Sequence, residues 1–458
     1  LENFKSLRKA GGLSGYPSRA ESEHDWIENS HASTALSYAF GIATAQASDE
    51  GEGRRVLAVI GDGALTGGMA FEGLNNLGHA GSNAIIILND NGRSYAPTVS
   101  LLSDSLKKLR NNPKYLEQQE KLENKVKRLL PSKEVMGLSV ERAIDAAKAA
   151  VREIWDPTSF FEDLGLRYNG PFDGHNIEAL EKAFRNAAGF EGPTVIHVLT
   201  EKGRGYGPAE NDPIKRLHDI GKPKPESYTA AFTEILIKEA ENRSDLVAIT
   251  AAMPDSTGLL PFSERFPERF FDVGIAEQHA TTAAAGMAMG GLRPVIAVYA
   301  TFLNRAFDQI NFDVALHNQP VIFCIDRAGI TGPDGASHHG LLDMMLLSKV
   351  PGMTMFAPSS YQELQQMFSD ALEITDGPIA IRYPRTPAPS VEEAEVGKGI
   401  RARHVSEGKD VCILSVGKML PEAKEAAELL SAHGLTCSIW DVRCITPLDN
   451  EMIVDAHG

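Results

Sequence analysis

The stretch VIGDGALTGGMAFEGLNNLGHAGSNAIIILNDNGR, residues 59–93, decides how the chain is read. Two apolar runs, VLAVI at 56–60 and AIIILN at 84–89, bracket a segment with helical spacing over 67–79. That pattern predicts one strand–helix–strand unit with its strands parallel. Gly61 and Gly63 resemble part of a dinucleotide-binding loop, but the fingerprint requires a third glycine where Thr66 stands. Asp62 is the sharper objection, because a carboxylate between the glycines would face a bound pyrophosphate directly. A crossover of this kind brings the carboxyl ends of both strands together, at the edge where open α/β sheets bind ligands. Asn91 follows the second strand, 29 residues after Asp62. An Asp and an Asn oxygen, with a neighbouring backbone carbonyl, make a partial oxygen cage suited to Mg²⁺, which completes its octahedron with phosphate oxygens and water. Gly61 and Gly63 let the backbone approach, and a helix starting after Ala64 adds N–H donors. The plainer alternative is a strand-to-helix turn with Asp62 as helix cap. The NDN at the matching end of the next strand favours the metal.

The whole chain fits this frame. Its 458 residues suggest roughly two to four domains of about 100–200 residues each. A formal net charge of −16 argues against a general nucleic-acid or acidic-membrane surface, so an anionic substrate needs a local cationic pocket. The four cysteines, Cys324, Cys412, Cys437 and Cys444, form no CxxC pair and indicate neither a disulfide framework nor a zinc site. No apolar run reaches the ~18 residues of a membrane span, and a bacterial cytoplasmic location is expected. The chain opens LENFKSLRKAGGLSGYP without Met or signal-peptide pattern and closes at VDAHG inside an α/β alternation. It therefore reads as a piece of something longer.

Alternation of apolar runs with helical patterns recurs along the chain and points to parallel α/β architecture. After the first unit comes a charge-dense stretch, 107–135, best read as an exposed helix or excursion. Alternation resumes at TVIHVLT (194–200), and the Gly/Pro/polar stretch at 201–228 reads as a linker. A second region follows, with strands in LVAITAAM (246–253), FFDVG, PVIAVYA and PVIFCID, and helices over about 276–290 and 302–318. The Pro-rich, acidic stretch at 383–399 marks a further boundary before DVCILSV, a helix over about 419–433, and CSIWDVR. The expected domains are 1–228, 229–392 and 393–458.

GDG followed by about 25 residues and Asn is the thiamine-diphosphate signature, and GDGALTGGMAFEGLNN with LNDN resembles the 1-deoxy-D-xylulose-5-phosphate synthase family of transketolase-like enzymes. The resemblance implies three transketolase-like α/β domains with mostly parallel sheets, of which N- and C-terminal parts are missing from this chain. The first domain would bind the diphosphate and Mg²⁺, the second the pyrimidine, and the third would be a partial C-terminal domain. Thiamine diphosphate and Mg²⁺ are then the implied cofactors, with Asp62, Asn91 and the carbonyl of Arg93 on the metal. Gly63 and Ala64 would contact the diphosphate.

The cofactor also needs a carboxyl group sharing a proton with its aminopyrimidine ring. FFDVGIAEQHATTAAAGMAMGG offers Glu277 at the start of an Ala/Gly/Met-rich helix, where an apolar setting raises a carboxyl pKa. DVGIAEQH is similar to the family's glutamate motif; an isolated glutamate there would merely suit the helix dipole. By the same resemblance the substrates are pyruvate and D-glyceraldehyde 3-phosphate, the products are 1-deoxy-D-xylulose 5-phosphate and CO₂, and the working state is a homodimer. The product would feed isoprenoid, thiamine and pyridoxal synthesis.

Arg suits both the carboxylate and the phosphate of those substrates. The resemblance makes Arg327 and Arg385 phosphate anchors, with His338 beside them on the substrate. Tyr299, Arg305 and Asp334 would hold the pyruvate-derived group, and Phe302 would wall the pyrimidine unless it is plain core. His31, flanked by Ser30 and Ala32, resembles the diphosphate-side histidine; His218 resembles a catalytic histidine on the linker, in a departing context; Tyr206 matches a cofactor-contacting tyrosine. His24, His79, His175, His197 and His317 read as surface or core, and His279 and His339 as weaker candidates. Transketolase, or a cofactor-binding fragment without turnover, are the alternatives.

Overall fold

The computed structural model describes residues 2–48, 54–93, 97–98, 134–135, 138–139, 159–213, 216–218 and 225–457. Apart from 134–135, the charged stretch at 107–135 lies outside the described residues. The chain divides into two compact units, Ala32–Asp219 and Leu1–His31 with Ile220–Gly458.

In the Ala32–Asp219 unit, the strands are β1 (Val56–Gly61), β2 (Ala84–Asp90), β3 (Glu134–Val135), β4 (Leu138–Ser139), β5 (Arg167–Asp173) and β6 (Thr194–Leu199). Four of them form an all-parallel sheet in the order β1-β2-β6-β5, and among the described residues β3 pairs with β4 alone. The predicted strand–helix–strand unit is present: Gly61 lies opposite Asn89, so the segments carrying Asp62 and Asn91 leave the sheet side by side. The connecting helix, Gly68–Ala80, buries Ala70, Gly73, Leu74 and Leu77. Gly73 is needed there because a Cβ would stand 2.7 Å from the Cβ of Leu36 on the helix Ala35–Ser48. The helix ends at Gly81, whose φ of 61° is the left-handed cap that glycine adopts without strain. β5 has no counterpart in the sequence reading. Its RYNGPFD carries Gly170 and Pro171, and it survives as a strand because it lies at the sheet edge, where a missing N–H costs little.

The other unit is built on β7 (Leu246–Thr250), β8 (Phe270–Asp272), β9 (Arg293–Tyr299), β10 (Ile322–Asp326), β11 (Thr354–Phe356), β12 (Ile379–Arg382), β13 (Arg403–Ser406), β14 (Val411–Ser415), β15 (Cys437–Asp441) and β16 (Cys444–Thr446). A seven-stranded sheet runs β16-β11-β12-β10-β9-β7-β8, parallel except for the β16 edge. β9 and β10 are buried along their whole length, which is why they read as unbroken apolar runs. Leu246, Ala248, Val295, Ala297, Ile322 and Cys324 form one core with the helices Tyr228–Asn242 and Tyr361–Glu373.

β13, β15 and β14 make a second sheet. Arg443, fully buried after β15, ties this region to the helix Tyr361–Glu373 by donating from Nε to Glu363 (2.7 Å) and from Nη1 to the Gly399 and Arg401 carbonyls.

The expected helix over 302–318 is a correction. The chain changes helix type through Ala300–Leu303, Asn304–Ala306, Phe307–Gln309 and a π-helix at Ile310–Ala315. Leu303, Ala306, Ile310 and Val314 keep helical spacing and are buried, so the apolar face is right while the hydrogen-bond ladder is not continuous. Such departures gather at functional sites.

Candidate active site

Asp62 does not cap the following helix. A 3-10 turn, Ala64–Thr66, intervenes, and the helix begins at Gly68 behind Gly67 without a side-chain cap. Instead the carboxylate is 3% exposed and faces the next strand's turn. Its Oδ1 accepts the Asn91 N–H at 3.3 Å and its Oδ2 accepts the Thr98 hydroxyl at 2.7 Å. Burial raises its pKa, the Thr98 hydrogen bond opposes that, and the Asp90 charge adds to it. The turn itself is tightly specified. Asn91 Oδ1 accepts the Arg93 N–H at 3.0 Å, and Asp90 Oδ1 accepts the Gly92 N–H at 3.1 Å.

A buried carboxylate whose hydrogen bonds come from neutral donors is suited to a bound cation. Among the described residues no group of three or more His, Cys, Asp or Glu could hold a metal. A metal at Asp62 must therefore complete its protein ligands with amide and backbone oxygens, and an all-oxygen set is what a hard divalent cation takes. Gly63 and Ala64 stand at the same strand end; the Ala64 carbonyl accepts the Ser33 hydroxyl at 2.7 Å.

A cavity of about 480 Å³ opens on this edge, lined by Asn91, Arg93, Thr200, Lys202, Glu210 and Arg216, with Glu201 beside them. Lys202 was missed in the sequence. Burial, with the Arg93 charge, pulls its pKa down to about 8. Its Nζ donates to His218 Nδ1 at 2.7 Å, so the linker histidine joins this cluster. Tyr206 caps the short helix Gly207–Glu210 and is 60% exposed.

The Leu1–His31 with Ile220–Gly458 unit carries the other group. Glu277 begins the helix Glu277–Met289 and is 4% exposed. Burial raises its pKa, and Arg305, with Nη1 3.5 Å from Oε2, partly offsets this. Tyr299 stacks on Phe302 at 5.6 Å between centroids, and His31 meets Phe302 edge-on at 4.9 Å. His31 Nε2 lies 2.8 Å from the Thr301 hydroxyl; burial, then the Arg305 charge, lowers its pKa. His31 sits in a turn ahead of the helix Ala35–Ser48 rather than at its head. Ser30 keeps a buried hydroxyl without a hydrogen-bond partner. Ala32 opens the other unit.

His338 stacks on Tyr16 at 4.8 Å, and burial depresses its pKa to about 4. Asp334 is held by Arg385 and by Arg8 at 3.0 Å. Arg327 is 7% exposed, donates to Asp326 and to the Ser256 carbonyl at 2.7 Å each, and lies 4.2 Å over the Tyr299 ring. The structure thus gathers Glu277, Arg305, Tyr299, Phe302, His31 and His338, and pairs Asp334 with Arg385. Arg8, Tyr16 and Thr301 were missed, although Arg8 and Tyr16 lie in the quoted opening LENFKSLRKAGGLSGYP.

Three family models match in succession: 1-deoxy-D-xylulose-5-phosphate synthase over residues 1–200, the transketolase pyrimidine binding domain over 224–390, and the transketolase C-terminal domain over 401–457. The chain is 47% identical over 470 aligned positions to the 1-deoxy-D-xylulose-5-phosphate synthase of Mycobacterium avium (strain 104), covering 98% of this chain and 72% of that protein. It is 48% identical to that of Nocardia farcinica (strain IFM 10152), covering 99% and 74%. With that of Parafrankia sp. (strain EAN1pec) the identity is 46%, over 99% and 71%. On these matches, which span nearly the whole chain, it belongs to the 1-deoxy-D-xylulose-5-phosphate synthase family of thiamine-diphosphate-dependent transferases.

Proposed function

We propose that this chain carries out the reaction for which its family is named, decarboxylating pyruvate and transferring the two-carbon unit to D-glyceraldehyde 3-phosphate. The observation that carries the reading is that the two units each hold one of the buried carboxylates Asp62 and Glu277, in contrasting settings. Asp62 accepts from a backbone N–H and a hydroxyl in a polar turn, and Glu277 is buried at the start of an Ala/Gly/Met-rich helix, as the two ends of thiamine diphosphate require. When bound, that cofactor supplies the carbanion equivalent for decarboxylation and carbon–carbon bond formation.

In this reading Asp62, Asn91 and the Arg93 carbonyl hold Mg²⁺, and Gly63, Ala64, Ser30, Ala32 and His31 surround the diphosphate. Lys202 adds a cation on the cavity edge, and Tyr206 a further contact. Glu277 keeps a proton at its buried carboxyl for the pyrimidine ring, and Phe302 packs against that ring. Tyr299, Arg305 and Asp334 orient the pyruvate-derived group, and His31 and His218 move protons. Arg385 meets the aldehyde phosphate by exchanging Asp334 for it; Arg327 would have to release Asp326 to do the same. His338 contributes beside them.

The same reading assigns 1–228 to the diphosphate, 229–392 to the pyrimidine and 393–458 to a partial C-terminal domain, in keeping with the succession of family matches. Among the described residues no helix is long and apolar enough to cross a membrane. We take the working state to be a homodimer in the bacterial cytoplasm.

Donor preference tests the reaction. CO₂ release from pyruvate that depends on D-glyceraldehyde 3-phosphate is expected, and turnover of xylulose 5-phosphate without pyruvate would sink the reading in favour of transketolase.

A further inference from the structure

His197 reads in the sequence as a core histidine, and at 0% exposure it is buried completely. It does more than fill space, because both ring nitrogens have polar partners. Nε2 lies 3.1 Å from Asp90 Oδ2, and Nδ1 lies 2.6 Å from the Tyr168 hydroxyl. Asp90 and Tyr168 are each only 2% exposed. The register explains the meeting: β6 runs between β2 and β5, His197 pairs with Leu88, and Tyr168 pairs with Val195. Each polar partner is therefore a diagonal, same-face neighbour of His197.

The chain of hydrogen bonds has a direction. Asp90 can only accept as a carboxylate, so Nε2 carries the proton, and in the neutral ring Nδ1 then accepts from Tyr168. Asp90 Oδ2 is thus fixed from behind, while its Oδ1 accepts the Gly92 N–H at 3.1 Å. Gly92 lies between Asn91, whose N–H reaches Asp62, and Arg93, whose N–H reaches the Asn91 side chain.

We propose that His197 is a positioning residue for the metal-binding turn: anchored by Tyr168, it orients Asp90, and Asp90 holds the Gly92 amide so that Asn91 and the Arg93 carbonyl keep their places beside Asp62. The proposal rests on the reading of Asp62 and Asn91 as metal-binding. His197 touches neither metal ligand, so its removal should show in metal affinity before it shows in turnover.

The test compares His197→Leu, His197→Gln, Tyr168→Phe and Asp62→Ala in the full chain. Mn²⁺, as a probe for the metal, is titrated by electron paramagnetic resonance, and kcat is measured at saturating metal and cofactor. His197→Leu should weaken Mn²⁺ binding at least tenfold, with kcat at saturation within threefold of the parent. His197→Gln, whose amide keeps a donor toward Asp90, should stay within threefold in both. Tyr168→Phe should fall between, at threefold to tenfold, and it carries the test if the leucine variant does not fold. A folded His197→Leu with unchanged Mn²⁺ affinity overturns the proposal, as does unchanged affinity in Tyr168→Phe if that variant alone is available. If Asp62→Ala abolishes binding while the His197 variants do not alter it, this inference alone falls. If Asp62→Ala leaves binding intact, the metal-site reading falls and this inference with it.

Discussion

The turn around Asp62 and the pocket around Glu277 hold buried carboxylates by opposite means. At Asp62, one backbone N–H and one hydroxyl come from residues 91–98, close in sequence and ordered by a single strand pair. At Glu277, burial on an Ala/Gly/Met-rich helix is the largest influence, and one arginine stands at 3.5 Å. The rings of His31, Tyr299, Phe302 and His338 cluster with one another rather than supplying donors to the carboxylate. A donor-rich setting prepares a carboxylate to stay ionised once a cation arrives. An apolar setting prepares it to keep a proton. The difference teaches that burial alone does not assign a role to a carboxylate; the composition of what buries it does.

The largest expected effect breaks this comparison at the apolar end. Glu277→Gln should lower kcat about 10²–10⁴-fold, the range for a positioned acid or base, while thiamine-diphosphate affinity stays within about threefold. Fluorescence titration of the cofactor beside steady-state kinetics would check this. A parallel loss of affinity would make Glu277 a binding residue and erase the contrast. At the polar end, Asp62→Ala should do the reverse. Losing a charge partner of this kind costs roughly 3–5 kcal/mol, about 10²–10⁴-fold in Mg²⁺-dependent cofactor affinity. Unchanged affinity would mean that the turn is only structural.

A smaller effect tests the ring cluster through pH. The unfolded chain protonates His338 near its ordinary 6.5, whereas burial delays protonation in the folded protein to about 4. Between those values the unfolded state binds more protons, so this group makes stability fall as pH drops from 6.5 to 4. The buried Nδ1 has no hydrogen-bond partner to receive an added proton. The full difference corresponds to roughly 3–3.5 kcal/mol, of which about 2 is reached by pH 4.5. Urea unfolding at pH 7 and pH 4.5 should show the parent losing about 2 kcal/mol more than His338→Gln; equal losses would show that the ring titrates normally.

How far each region was legible follows the same division. The Asp62 turn could be read because strand, crossover and strand occupy one short stretch, and two parallel apolar runs fix where their ends meet. Asn91 was found that way. Thr98 and Asp90 were not, because only the folded turn shows which side chain meets Asp62 and which one reaches back to His197. The Glu277 pocket was legible only through its motif. No periodicity brings Tyr16 to His338 or His31 to Thr301, since these contacts span long separations and depend on how loops leave the sheet. Arg327 illustrates the limit. As a sequence feature it is a cation after a strand, but in the fold its charge is already paired with Asp326.

The smallest effect sharpens the polar end. The Thr98 hydroxyl donates to Asp62 Oδ2 at 2.7 Å, and two outcomes are physically distinct. If that oxygen must be vacated for the cation, Thr98→Val should tighten metal binding. If the hydroxyl only orients the carboxylate, the substitution should weaken it. An ionised carboxylate offers about four lone-pair sites on its two oxygens, so donation by Thr98 and coordination of a cation can coexist. Without the hydroxyl, the carboxylate keeps the Asn91 N–H on Oδ1 but loses the group that fixes its rotation. A hydrogen bond to a charged group contributes roughly 1.5–3 kcal/mol, part of which the bound cation replaces. The expected result is therefore about tenfold weaker Mg²⁺ binding, near 1.4 kcal/mol, read by titration calorimetry. Tighter binding would show instead that the Thr98 hydroxyl occupies the position the cation needs.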